Sequence, residues 1–245
     1  MQINTILWRE WRFFLHRFWK ITTTQLVTPI LYIITFGIGL GDKIEVGGQP
    51  YLFFLMPGIL SMVTMRNSYY AVSMRIMLGR LNDKSFETYI YAPMKMSALT
   101  MGYLLAGTLR GLYAGIFIFI ISFFTKRAIE ITPTLIFMLV LNSLLFSAIG
   151  FTISMVVDTH YDLSRFTNMV ITPMSFLCGT FYQVSNLPKV FKWIIELLPL
   201  THTTRLIRRV SFGYGIDYFS LLIVLFYIFF LTVIAIRICY REITY

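Results

Sequence analysis

The residues of this chain that are able to do chemistry are mainly cations, and its acids lie outside the apolar segments. The sequence has 21 Lys and Arg against 11 Asp and Glu. All of these acids, from Glu10 to Glu242, fall in loops or at the ends of apolar stretches. Carriers driven by protons or sodium generally need an intramembrane carboxylate to bind the coupling ion. The placement of the acids therefore argues against a secondary transporter.

The sequence contains few residues that could serve as the catalytic groups of an enzyme. His160 lies between Asp158 and Asp162, which can be drawn as a metal cluster, but a solvated turn between two apolar segments is the favoured interpretation. There is no Gly-x-x-x-x-Gly-Lys-Ser/Thr phosphate loop. We therefore expect no catalytic residue, metal site or cofactor site in this chain, and any ATP would bind to another polypeptide.

Two arginines lie within apolar segments. At about 1.5 Å per residue, Arg110 is about 18 Å into its segment and Arg66 about 21 Å into another. A guanidinium in a bilayer costs at least about 2.5–3.5 kcal/mol, so each needs carbonyls, water or an anion as a partner. One interpretation is that backbone carbonyls and Asn67 or Asn142 satisfy them. The other is that they face a wet cavity in the translocation path that accepts an anionic headgroup.

The composition identifies the elements that must position these arginines. Apolar residues make up 57% of the chain and charged residues 13%, with a mean hydropathy of +0.73. These values predict a polytopic, all-α membrane protein that forms one domain. Six transmembrane helices are predicted, at residues 21–41, 52–74, 98–124, 133–157, 165–182 and 217–238.

Residues 1–20 predict an amphipathic helix that lies at the membrane interface. Arg9, Arg12, His16 and Lys20 recur at helical spacing on one face, and apolar side chains fill much of the other. An extension of the first span is the alternative. Segments that are cytoplasmic with the N-terminus inside carry more Lys and Arg than the outer segments, which predicts cytoplasmic N- and C-termini.

The stretch between the last two predicted spans is too polar to span a bilayer and too apolar for a free loop. After Gly179, two segments of about ten residues follow Pro188 and Pro199, which is about half the length of a span. They predict a re-entrant outer helical hairpin between spans five and six. A helix after Pro199 would carry Arg205, Arg208 and Arg209 on one side, where they either contact lipid phosphates or guide an anionic cargo outward.

The inner loop at 75–97 predicts a short helix that Pro93 stops before the next span. Its aromatic residues, Phe86 and Tyr89 among them, suggest an interaction surface rather than a solvated connector. Aromatic anchoring at the headgroup belt is the alternative.

Taken together, these segments resemble the permeases of ABC-2 type exporters, and the resemblance covers nearly the whole chain. Its most specific part is Pro173–Gly215, in which Cys178 departs from the Ser or Gly more often found there. The remaining matching positions are Tyr51, Phe54, Pro57, Gly58, Glu87, Pro93, Gly102 and Arg110.

The resemblance implies an integral membrane subunit without enzymatic activity, over residues 1–245. Phe86, Glu87, Tyr89 and Pro93 would belong to a coupling helix that docks on a separate ABC ATPase, and that partner would bind ATP. A second permease copy, identical or different, would complete the pore in the bacterial inner membrane, among its lipids and without nucleic acid. The implied cargo is amphiphilic or lipid-linked: a saccharide, a polysaccharide or a drug-like compound. An integral-membrane lipid-modifying enzyme is the alternative.

Overall fold

The computed structural model describes residues 2–39, 45–46, 49–83, 86, 89, 94–124, 129–184 and 187–241. Apart from two short antiparallel strands, β1 (Glu45–Val46) and β2 (Gln49–Pro50), the regular structure of these residues is helical. The helices are α1 (Gln2–His16), α2 (Phe18–Tyr32), α3 (Tyr51–Leu81), α4 (Met96–Phe124), α5 (Pro133–Val156), α6 (His160–Phe166), α7 (Thr172–Leu177), α8 (Lys189–Glu196), α9 (Pro199–Ser211) and α10 (Tyr218–Arg241). Two π-helical segments, Ile33–Ile38 and Thr167–Ile171, continue α2 and join α6 to α7.

Three helices among the described residues, α4, α5 and α10, are long and apolar enough to cross a membrane. They match the third, fourth and sixth predicted spans. The predicted span at 52–74 lies within α3, which carries Ser, Thr, Asn and Arg among its apolar residues. The span at 165–182 is divided among α6, the π segment and α7, and the span at 21–41 extends past the described residues. Six spans therefore remain a prediction.

Helix α3 is the centre of the molecule. Most of its side chains are buried, which explains why it shows no amphipathic pattern, although Tyr70 and Met74 are exposed. Its hydroxyl groups donate to carbonyls one turn back, as Ser68 Oγ does to Thr64 O at 2.6 Å. Hydrogen bonds also fasten α3 to its neighbours, because Tyr69 Oη lies 2.9 Å from Thr167 Oγ1 and Ser61 Oγ lies 2.8 Å from Thr204 Oγ1.

Local signals explain where several helices begin. Thr132 caps α5 by accepting a hydrogen bond from Leu135 N at 3.2 Å, and Pro133 follows as its first residue. Pro188 stands at the N-cap of α8 and Pro199 begins α9, as the sequence predicted for the two short helices. Gly179 turns the chain before them with φ +79°, a conformation that side chains with Cβ avoid.

The two helices of this hairpin differ in burial. In α9, Leu200, Leu206 and Ile207 are buried against the core, whereas Phe191 and Trp193 of α8 are exposed. An exposed apolar face on α8 is compatible with contact to lipid. Whether the hairpin enters the bilayer from the outer side remains a prediction.

Helix α1 is shorter than the predicted interface helix and ends at His16. It packs on α4, where Ile6 (2% exposed) lies against Gly102 and Phe14 (3% exposed) contacts Tyr113. Trp8, Trp11 and Leu15 stay exposed, so part of the apolar face of α1 is available to a membrane surface. Some apolar residues of α1 thus pack against the rest of the molecule, and the others remain exposed.

Candidate functional site: a basic cavity between α2, α3 and α4

The cavity richest in cations lies where α2 and the end of α1 face α3, with one arginine of α4 in its wall. Its volume is about 540 Å³. Five cations line it, and no described acidic residue does: the cations are Arg17, Lys20, Arg66, Arg75 and Arg110. The concentration of one sign of charge in a concave site attracts anions. The rest of the cavity wall consists of uncharged residues, both polar and apolar, among them Gln25, Thr28, Asn67, Tyr70 and Met74.

Helix geometry explains the α3 wall. Arg66, Tyr70 and Met74 follow one another at intervals of four residues, so they lie on one face of the helix. The Arg66 guanidinium lies over the Tyr70 ring at 6.0 Å from its centroid. Asn67 Nδ2 donates to Val63 O at 2.8 Å.

Arg110 reaches the cavity from α4. Its guanidinium lies over the Phe14 ring at 4.7 Å, and its buried Nε has no hydrogen-bond partner. Asn142, one of the partners considered from sequence, instead donates to Ser61 O at 2.9 Å and to Thr64 Oγ1 at 2.8 Å. An unpartnered buried donor favours a ligand or water at this position.

A carboxylate lies behind the cavity on α1. Glu10 Oε1 accepts a hydrogen bond from Arg9 Nη2 at 2.8 Å and from Arg75 Nε at 3.1 Å. Burial by itself lowers the pKa of Arg9, but its hydrogen bonds to Tyr103 and Glu10 outweigh this and raise it. Glu10 also lines a smaller cavity between α1 and α4 that shares Arg110 with the basic cavity.

Arg205 and Arg208, which the sequence placed in the translocation path, lie elsewhere. They line a second cavity of about 590 Å³ beside the hairpin, with Lys192, Glu196 and Arg209. Arg205 forms an ion pair with Glu196 across the hairpin. Arg208 Nη2 donates to Gly179 O at 2.8 Å, and its guanidinium lies 3.9 Å from the Phe54 ring centroid. Both arginines thus have partners within the chain, although the Nε of Arg208 is buried without one.

A histidine in the same hairpin has a pKa below its usual value. His202 is buried, and its Nε2 donates to Glu196 O at 2.8 Å. Burial lowers the pKa of His202, and the nearby Arg205 lowers it further against the effect of that hydrogen bond.

The predicted coupling segment is described only at two of its four named residues. Phe86 is 4% exposed and packs into the apolar cluster that holds Ile6, Met96 and Leu99. Tyr89 is half-buried, with the Arg9 guanidinium 4.8 Å from its ring centroid. Phe86 therefore anchors the segment instead of being exposed on it. Glu87 and Pro93 lie outside the described residues.

Among the described residues, no group of three or more His, Cys, Asp or Glu side chains is close enough to hold a metal ion. His160 Nε2 lies 2.8 Å from Asn82 Oδ1, so it links the start of α6 to the end of α3.

Sequence reasoning found Arg66 and Arg110, but it counted Arg17 and Arg75 only in the cytoplasmic charge bias and placed Lys20 on the polar face of the interface helix. A shared helical face would have been a signal for Arg75, but nine residues make about two and a half turns and place it on the side of α3 opposite Arg66. No such signal connects Arg17 and Lys20 with α3, since only the packing of α2 on α3 brings them to the cavity.

Among the described residues, three apolar helices of spanning length and a cationic cavity with an arginine of one of them in its wall are features expected of a membrane transport permease. The chain belongs to the ABC-2 type transporter family, whose pattern matches residues 1–212.

The inner membrane transport permease YadH of Escherichia coli (strain K12) is 31% identical to the chain over 198 residues, covering 78% of this chain and 77% of that protein. Nodulation protein J of Rhizobium leguminosarum bv. trifolii is 25% identical over 199 residues, covering 78% and 74%. Nodulation protein J of Bradyrhizobium diazoefficiens is 26% identical over 200 residues, covering 79% and 74%. Family membership implies an ABC ATPase as partner.

Proposed function

We propose that this chain is the permease subunit of an ATP-driven exporter that moves an amphiphile with an acidic headgroup out of the bacterial inner membrane. The observation that carries the proposal is the basic cavity, in which five cations line the wall and the buried Nε of Arg110 lacks a partner. Guanidinium groups suit this task because they bind phosphate or carboxylate through paired hydrogen bonds.

The headgroup enters between α2 and α3 and binds to Arg66 and Arg110. The apolar cavity residues, such as Met62, Val63 and Met74, accommodate the first part of the tail. The outer cavity, with Arg205 and Arg208, lies on the way out beside the re-entrant hairpin. A lipid-linked saccharide, a polysaccharide and an acidic drug-like compound all fit this chemistry.

The segment around Phe86, Glu87, Tyr89 and Pro93 is the docking point for the ATPase. Its support is a direct connection to the cavity: Arg9 contacts both the Tyr89 ring and Glu10, and Glu10 binds Arg75 in the cavity wall. Movement of the docked segment would therefore reach the cavity through α1. Two permease copies, identical or different, pair with two ATPases, with both termini cytoplasmic.

The test replaces Arg66 and Arg110 by Gln, separately and together, in the permease–ATPase complex. Each single variant is expected to cut export at least about tenfold, because each removes a charged hydrogen bond to the headgroup. Basal ATP turnover and complex assembly should stay near wild type. Arg237→Gln, a change at an exposed arginine of α10, is the matched control. Unchanged export in the double variant at normal protein levels would refute the assignment of the cavity.

A further inference from the structure

We propose that Glu10 is an internal counter-anion that weakens the hold of the basic cavity on anionic cargo, so that a captured headgroup is able to leave again. The proposal rests on the proposed function of the cavity. It assigns to α1 a direct effect on which charge the permease accepts.

The geometry places Glu10 against the cavity wall but outside the space the cargo would occupy. Its Oε1 binds Arg75 Nε at 3.1 Å, and Arg75 lines the cavity, whereas Glu10 itself does not. The side chains are little exposed, at 12% for Glu10 and 16% for Arg75. Charges withdrawn from water interact more strongly than exposed ones, so the carboxylate offsets part of the positive potential that an incoming anion experiences.

Packing holds the two nearest cavity arginines independently of this carboxylate. The Arg75 guanidinium lies 4.5 Å from the Phe13 ring centroid, and the Arg110 guanidinium lies 4.7 Å from that of Phe14. Both rings belong to α1, three and four residues after Glu10 and thus about one helical turn away. A change of Glu10 to Gln keeps the size of the side chain and these stacking contacts, so it removes the charge with little change of shape.

A transporter needs a site that binds its cargo and also releases it. Five cations without compensation would hold a phosphate group tightly, and its exit would then limit the rate of export. Glu10 competes with the cargo for Arg75, and it lies in the small cavity that shares Arg110. It thereby lowers the affinity of the cavity for the cargo, and the reduction grows with each negative charge that the cargo carries.

The test measures binding of three amphiphiles with the same twelve-carbon tail to the full chain in lipid nanodiscs at pH 8. Dodecyl phosphate carries close to two negative charges at this pH, laurate carries one, and dodecyl maltoside carries none. In Glu10→Gln we expect laurate to bind about three- to tenfold more tightly, because one opposing charge is removed. The gain for dodecyl phosphate should be about the square of that for laurate, and dodecyl maltoside should be unaffected.

Glu130→Gln is the matched control, because Glu130 is exposed beyond the outer end of α4, and its affinities should equal those of wild type. In the export assay, Glu10→Gln should slow release of a phosphate amphiphile although binding is tighter. An equal change for all three amphiphiles would show a purely structural role and overturn the proposal. A wild-type preference for phosphate over maltoside without any gain in Glu10→Gln would overturn the counter-anion role alone. No wild-type preference at all would refute both this proposal and the assigned cargo.

Discussion

At the residue scale, the arginines that the sequence assigned to the translocation path occupy two different environments. Arg110 and Arg66 line a cavity, and their described contacts there are aromatic rings. Arg208 instead donates to the backbone carbonyl oxygens of Gly179 and Thr180, at 2.8 and 3.4 Å. A buried guanidinium without a hydrogen-bonded partner is costly unless a ligand or water compensates it, whereas one bound to carbonyls stabilises the fold.

Arg208→Gln is therefore expected to lower the free energy of unfolding by about 1.5–3 kcal/mol, since it removes charged hydrogen bonds to two carbonyls and the contact with Phe54. The measurement is the thermal unfolding midpoint of the purified chain in detergent. Arg209→Gln, one position further on an exposed part of α9, should change stability by less than about 0.5 kcal/mol. Equal unfolding midpoints for the two variants would contradict a structural role of Arg208 and favour a role in binding the cargo.

At the scale of elements, the close approach of α4 to its neighbours sets the shape of the cavity wall. Gly107, Gly111 and Gly115 follow one another at intervals of four residues along α4 and face α3 and α5. A Cβ added at Gly111 would meet Ser143 Oγ at 2.5 Å and Thr64 O at 2.9 Å, and the second of these is backbone that cannot move aside. At Gly115 the nearest atom would be Thr64 Cγ2 at 3.1 Å, the end of a side chain.

This difference predicts an ordered pair of variants. Gly111→Ala should destabilise the chain by about 1–3 kcal/mol, because it forces α3 and α4 apart. Gly115→Ala should have a much smaller effect, since slight side-chain movement is offset by the better helix propensity of Ala. Thermal unfolding in detergent distinguishes the two. If Gly115→Ala proved the more harmful, the packing of α4 described here would be wrong.

At the scale of the whole molecule, the proposed export requires the basic cavity to lie toward one side of the membrane and the hairpin toward the other. The proposed orientation has α8 outside and the end of α3 inside. Both native cysteines, Cys178 and Cys239, are buried, so the wild-type chain is expected to give a low background in thiol labelling.

Cysteine introduced at exposed Lys192 is expected to react with a membrane-impermeant thiol reagent in cells whose outer membrane has been permeabilised. Cysteine at exposed Asp83 should react only after the inner membrane is disrupted. For each variant, the labelled fraction is measured from the mass shift of the protein on a gel. The reverse pattern would invert the topology and place the basic cavity near the wrong surface for loading cargo from the cytoplasm.

Much of the fold is legible in the sequence because local rules control it. The apolar stretches at 98–124, 133–157 and 217–238 differ from α4, α5 and α10 by only a few residues at their ends. Pro188 and Pro199 correctly marked the starts of two short helices, since proline is favoured at the beginning of a helix. The division of residues 165–182 into α6, a π segment and α7 was not predicted, because hydropathy does not report local changes of hydrogen-bond pattern.

The sequence by itself determined that this is a helical membrane protein of the ABC-2 type with cations in its apolar segments. Only the tertiary structure decided which of those cations meet. Periodicity places Arg66 and Arg75 on opposite sides of α3, and it does not say that both reach one cavity with Arg17, Lys20 and Arg110. Likewise, Phe86 and Glu10 read as surface residues, yet packing buries Phe86 and draws Glu10 into an ion pair with Arg75. The physical reason is that these contacts depend on how helices distant in sequence pack together, and that packing is a property of the complete core.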